Sequence, residues 1–128
     1  MGPLDDQVLR DDAVTVTPDG LDIAVHTHWY RALPLSCVVR LDVTVDGTPV
    51  VPDVTVNGVR RTRAELADLT GEYWFTTDPL ILHVPGTAGE HRVELDLGLS
   101  IPYILTGPDR RPLLSASRAD RTLTARRP

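Results

Sequence analysis

Apolar and polar residues alternate one for one through three long stretches of this chain. From Leu21 to Tyr30, Leu21, Ile23, Val25, Thr27 and Trp29 share one face, and Asp22, Ala24, His26, His28 and Tyr30 share the other. From about Cys37 to Val45, Val39, Leu41, Val43 and Val45 oppose Arg40, Asp42 and Thr44. From His91 to Ile101, Val93, Leu95, Leu97, Leu99 and Ile101 form one row. A side-chain period of two is that of a strand with one buried face.

The punctuation between these stretches suits antiparallel pairing. Asp46-Gly47 and Asn57-Gly58 are tight hairpin turns, because both positions tolerate positive φ. Pro18-Asp19-Gly20 is a turn that follows a short strand at Val14 and Val16. Further strands are expected at Leu80 to Val84 and at about Thr122 to Arg126. The one expected helix is Thr62 to Leu69. Thr62 and Glu65 are spaced as a capping box, and Gly71 stops the run. Seven or eight short strands, joined by turns, predict an all-β fold: an antiparallel two-sheet β-sandwich with one short helix. An open barrel shares the same local pattern. The expectation is a single domain over 1–128, with 1–12 and 105–119 as loop or partner-ordered segments. Met1 to Gln7 is polar, and Pro102 to Pro112 is rich in Pro and Gly.

A chain of 128 residues can bury enough surface to fold without a metal or a crosslink. Its single cysteine, Cys37, rules out an internal disulfide and reads as a buried structural thiol. No basic leader precedes an apolar run, and no segment approaches about eighteen apolar residues, so no membrane partner is expected and the cytoplasm is the expected location. The net charge of −5 argues against nucleic acid as a partner. The exception is the tail, where Arg110, Arg111, Arg118, Arg121, Arg126 and Arg127 stand against Asp120. It reads as a solvated strand or as a basic edge facing an acidic partner.

Catalytic chemistry is hard to place. His26 and His28 sit two apart on one expected strand face and could ligate a metal only with a third ligand. His83 and His91 fall on other strands. Glu94 and Asp96 share a face but oppose no general acid or base. No phosphate loop, dinucleotide fingerprint or nucleophile elbow is present. No catalytic, cofactor-binding or metal residue is therefore assigned. What stands out is aromatic: His28-Trp29-Tyr30-Arg31 followed by Leu33-Pro34-Leu35, and the run Tyr73-Trp74-Phe75. Trp, Tyr and Arg are the side chains that anchor interfaces.

Several of these pieces resemble, in order, one known family. They are Trp29-Tyr30-Arg31-Ala32-Leu33-Pro34-Leu35-Ser36, Leu41-Asp42-Val43-Thr44-Val45-Asp46-Gly47, Val56-Asn57-Gly58, Glu72-Tyr73-Trp74-Phe75, Gly89-Glu90-His91 and Ile101-Pro102-Tyr103. Together they resemble the small beta subunit of bacterial C-glycoside deglycosidases. The resemblance implies a hetero-oligomer. The partner would be a TIM-barrel alpha subunit, similar to sugar-phosphate isomerases and epimerases, that carries the catalytic residues and a divalent metal, typically manganese. It implies cleavage of the carbon–carbon bond between a 3-oxo sugar and an aromatic aglycone such as a flavonoid. This chain would be the accessory subunit that stabilises the barrel, with no cofactor of its own. Its interface candidates, chosen on physical grounds, are Trp29, Tyr30, Arg31, Pro34, Trp74 and Tyr103. The alternative reading is a stand-alone carbohydrate-binding β-sandwich, which would need exposed, coplanar Trp29 and Trp74 as stacking surfaces.

Overall fold

The structure is a computed structural model and describes residues 8–126. The expected loose start at residues 1–7, and Arg127 of the basic tail, lie outside the described residues. The strands are β1 (Val14–Thr17), β2 (Gly20–Val25), β3 (Leu33–Pro34), β4 (Val38–Val45), β5 (Thr48–Val50) and β6 (Asp53–Val56). They continue as β7 (Val59–Arg61), β8 (Tyr73–Trp74), β9 (Leu80–Val84), β10 (Gly89–Thr106) and β11 (Arg111–Ala125). One sheet has the order β1-β2-β9-β6-β7, the other β11-β10-β4-β5, and β3 pairs with β8 as a separate ribbon. All strand pairs are antiparallel. The architecture is broadly the expected all-β sandwich.

The alternating rows become the core. Leu21, Ile23 and Val25 of β2 and Leu80, Leu82 and Val84 of β9 are buried from one sheet. Leu41, Val43 and Val45 of β4, and Val93, Leu95, Leu97, Leu99 and Ile101 of β10, are buried from the other. Each such aliphatic side chain contributes roughly 1.5–3 kcal/mol when fully buried. Both hairpin turns form with both central residues at positive φ: Asp46 at 52° with Gly47 at 84°, and Asn57 at 53° with Gly58 at 78°. That is the twist which matches paired strands.

The two sheets are joined at one side. The Val16 N–H donates to the Arg126 carbonyl at 2.7 Å, and the Arg126 N–H to the Val14 carbonyl at 3.0 Å. A polar clasp holds the crossover from β9 to β10. His91 Nδ1 bonds Asp46 Oδ2 at 2.6 Å and Nε2 bonds the Thr87 carbonyl at 2.6 Å, while the Arg92 N–H donates to Asp46 Oδ1 at 2.9 Å.

Three expectations change. The helix at Thr62 to Leu69 is a single 3-10 turn, Ala64–Asp68. Its capping box is in place: the Thr62 N–H donates to Glu65 Oε1 at 3.0 Å and the Glu65 N–H to Thr62 Oγ1 at 3.4 Å. Only Leu66 of the turn is buried, so one apolar anchor has to meet the cost of nucleating a helix. The strand from Leu21 ends at Val25 instead of Tyr30. Its partner β9 starts at Leu80, just after Pro79, and the His26 N–H turns to the Val8 carbonyl at 3.0 Å.

The third change concerns 105–119, expected as a loop or partner-ordered segment, which is strand except for a turn at its tip. Ser100 pairs with Leu114, Ile101 with Leu113, Leu105 with Pro112 and Thr106 with Arg111. Pro102 lies in the register shift between Ile101 and Leu105, and Pro112 lies on the outer strand of its sheet. Neither position requires a ladder N–H, so the prolines do not break the hairpin.

Candidate functional site

The sequence candidates fall into two groups. Trp29, Tyr30, Arg31 and Tyr103 meet at one end of the molecule, whereas Pro34 and Trp74 belong to the β3–β8 ribbon.

The first group is assembled by two irregularities. After Val25 the chain leaves its sheet, and Thr27 Oγ1 accepts the Trp29 N–H at 3.1 Å. Such a side-chain bond competes with ladder pairing. The segment then runs to the β10–β11 hairpin, where His28 Nε2 bonds Ser115 Oγ at 3.0 Å. On the hairpin, residues 102–104 of β10 are unpaired, because Ile101 faces Leu113 and Leu105 faces Pro112. A bulge of this kind re-aims a side chain. Here the bulged residue Tyr103 accepts a hydrogen bond from Trp29 Nε1 at 2.5 Å. The Arg31 guanidinium carbon stands 5.0 Å from the Tyr103 ring centroid, a cation–π contact. Trp29 and Tyr30 ring centroids are 5.2 Å apart. Tyr30 is 71% exposed and Tyr103 46% exposed. The Tyr30 phenol is held above its ordinary pKa, first by its hydrogen bond with the Tyr103 hydroxyl. Arg31 makes no ion pair among the described residues.

The second group is structural. Leu33 pairs with Trp74 and Pro34 with Tyr73. Trp74 is 2% exposed and its Nε1 donates to the Asp78 carbonyl at 2.9 Å. It offers no surface to a partner, which removes it from the interface candidates. Its burial, with Trp29 packed against the core, also removes the paired stacking surfaces that a stand-alone sugar-binding module would use.

The remaining candidates are tied into the fold. The strand carrying both His26 and His28 is not formed, and burial lowers both imidazole pKa values, which favours their neutral forms. Their Nδ1 atoms are buried and have no partner among the described residues. His83 spans neighbouring strands, with Nδ1 at 2.8 Å from Asp22 Oδ1 and Nε2 at 2.6 Å from Thr55 Oγ1. Sequence reading named His83 but missed Asp22 and Thr55, which only the β2–β9–β6 order brings beside it. Asp96 pairs with Arg118 at 3.4 Å and Arg40 at 3.7 Å. Asp120 takes the Arg92 guanidinium at 2.9 and 2.7 Å. Cys37 is buried and desolvation raises its thiol pKa, which suits a structural thiol rather than a nucleophile. Among the described residues, no group of three or more His, Cys, Asp or Glu side chains is placed to hold a metal ion. No helix there is long and apolar enough to cross a membrane.

The model of one family, the C-glycoside deglycosidase beta subunit, matches residues 4–103. The chain belongs to this family. A C-glycoside deglycosidase beta subunit of Arthrobacter globiformis is 41% identical over 99 residues, covering 71% of this chain and 76% of the relative. A 3'-dehydrocarminate deglycosidase beta subunit of a Microbacterium species is 34% identical over 105 residues, 77% of this chain and 80% of the relative. A C-glycoside deglycosidase beta subunit of Microbacterium trichothecenolyticum is 37% identical over 100 residues, 71% and 76%. As a member of a beta-subunit family, the chain is one part of a heteromeric enzyme. The family match takes in Trp29, Tyr30 and Arg31 and ends at Tyr103 itself.

Proposed function

We propose that this chain is the accessory beta subunit of a C-glycoside deglycosidase and docks on a larger alpha subunit that carries the catalytic residues. The alpha subunit is a TIM barrel similar to sugar-phosphate isomerases and epimerases, and it binds a divalent metal, manganese. The complex acts in the cytoplasm on 3-oxo-C-glycosides of aromatic aglycones such as flavonoids. The reaction class is elimination: a base takes the proton next to the 3-oxo group, the carbon–carbon bond breaks and the aglycone leaves protonated. The metal supplies electrostatic stabilisation on the alpha subunit. The residues of this chain bind and order the partner. The 3'-dehydrocarminate in one relative's name supports the 3-oxo assignment.

The observation that carries the reading is the cluster of exposed Tyr30, Arg31 and Tyr103 around a partly buried Trp29 on a beta-subunit family member. Aromatic and arginine side chains of this kind anchor interfaces. The test is to recover the tagged chain from its native cell extract and identify what accompanies it. A near-stoichiometric barrel protein that holds manganese, with activity on 3-oxo-C-glycosides absent from the isolated chain, is the expected result. Recovery of the chain alone under gentle conditions, or activity of the isolated chain, overturns the proposal.

A further inference from the structure

We infer that the end of the molecule built by residues 29–31 and the outer half of the β10–β11 hairpin docks on an acidic face of the larger subunit, with Arg31 meeting a carboxylate there. The inference rests on the proposed role as a beta subunit and adds the location and chemistry of the contact.

The hairpin outgrows its sheet. The last β10–β4 pair is Leu99 with Val38, and beyond it β10 runs beside β11 alone, pairing at Ser100, Ile101, Leu105 and Thr106. A bulge at Gly98 and Leu99 marks the departure. Gly98 faces Arg40 so closely that an added Cβ would stand 2.9 Å from the Arg40 Cβ. A free two-stranded ribbon is marginal in water. This one holds Tyr103, Leu105 and Leu114 about half exposed. Its base is fixed by the Trp29–Tyr103 and His28–Ser115 bonds, which preorganise it and reduce the ordering cost of association.

Charge identifies the partner's face. The chain has 18 acidic against 13 basic residues, and Arg40, Arg60, Arg61, Arg92, Arg118 and Arg121 all find carboxylates within it. Among the described residues Arg31, like Arg10, Arg63, Arg110 and Arg126, finds none, and it is the one that lies over an aromatic ring, that of Tyr103. The hairpin tip adds Arg110 and Arg111 against Asp109 alone. Three arginines and one aspartate leave this end with an excess of two positive charges on an acidic chain. A guanidinium fixed on an aromatic ring keeps its fork of donors for a carboxylate.

The test uses the complex of the full chain with the larger subunit recovered beside it. Calorimetry compares the wild type with Arg31→Gln and Arg31→Lys, and with Arg60→Gln as a control, in roughly 50 to 500 mM NaCl. Circular dichroism checks that each variant is folded. Arg31→Gln is expected to weaken the complex by about tenfold or more at low salt and to flatten its salt dependence, with Arg31→Lys between it and the wild type. Arg60→Gln is expected to bind as the wild type. A folded Arg31→Gln chain that binds with wild-type affinity and salt dependence overturns the inference and leaves the subunit role standing. Wild-type chain that binds no larger subunit removes both. Sedimentation showing a dimer of the isolated chain that Arg31→Gln dissolves would assign the face to self-association and overturn the inference.

Discussion

The two tryptophans of this chain have different fates. In the β3–β8 ribbon, the Trp74 indole is sealed in the core and its N–H is satisfied by a backbone carbonyl. At the hairpin end, the Trp29 N–H is satisfied by another side chain, Tyr103, which is itself half exposed. The arginines follow suit. Arg61, which enters the ribbon region, pairs with Glu72 at 2.5 Å, whereas Arg31 rests on a ring. The ribbon buries its tryptophan while Tyr73 and Phe75 beside it stay 42% and 47% exposed, and the hairpin end leaves Tyr30 and Tyr103 exposed around a partly buried Trp29. A tryptophan is therefore an interface anchor only when its polar handle and its neighbours leave it a surface.

The largest expected effect is on stability. Trp74→Ala removes a buried indole and should cost about 3–5 kcal/mol in urea melts, with Trp29→Ala costing less than half as much. Equal costs would break the contrast. Next come the two arginines. Arg61→Gln should lower stability by about 1 kcal/mol and leave partner binding intact. Arg31→Gln should leave stability near the wild type and weaken the complex. A swapped pattern would place the interface at the ribbon.

A smaller effect sharpens the hairpin end. In a double-mutant cycle, Trp29→Phe and Tyr103→Phe should couple by about 0.5–1.5 kcal/mol, the size of a hydrogen bond. Additive costs would mean that the bond does not order the cluster.

The smallest effect is pH-dependent. Burial lowers the pKa of His28 in the folded chain, against the hydrogen bond with Ser115, which raises it, so folding favours the neutral imidazole there. That contribution is full above the ordinary value of about 6.5 and is lost as pH falls through the lowered folded pKa. In a Trp74→Phe background, Trp29 emission should shift to the red over this fall, and His28→Gln should remove the shift. The His91–Asp46 clasp runs the other way. Hydrogen bonding to Asp46 raises the His91 pKa, so its contribution is full below about 6.5 and is lost as pH rises through the raised folded value. His91→Gln should flatten that limb of the melting profile.

The strands that build the core were legible because their inner rows are aliphatic throughout, as in Val93 to Ile101. The inner row of β11 is not. Ser115, Ser117, Ala119 and Arg121 interrupt it, so no alternation marks the strand and the prolines at 102 and 112 suggested a loop. Tyr103 stands out in the sequence as an aromatic beside a proline, but its contact with Trp29 depends on a bulge that no local pattern announces. Trp74 and Trp29 look alike in sequence, each flanked by a tyrosine. What separates them is pairing: Trp74 lies opposite Leu33 in a ribbon, and Trp29 lies past the end of a strand. The helix was misread because a correct capping box was followed by a single buried anchor, Leu66.

Hydrogen–deuterium exchange of this chain, free and bound to the larger subunit, tests the central contrast most directly. Protection on binding at residues 29–31 and 100–114, with none at 73–75, is the expected result. Protection confined to 73–75, with 29–31 and 100–114 unchanged, would contradict it.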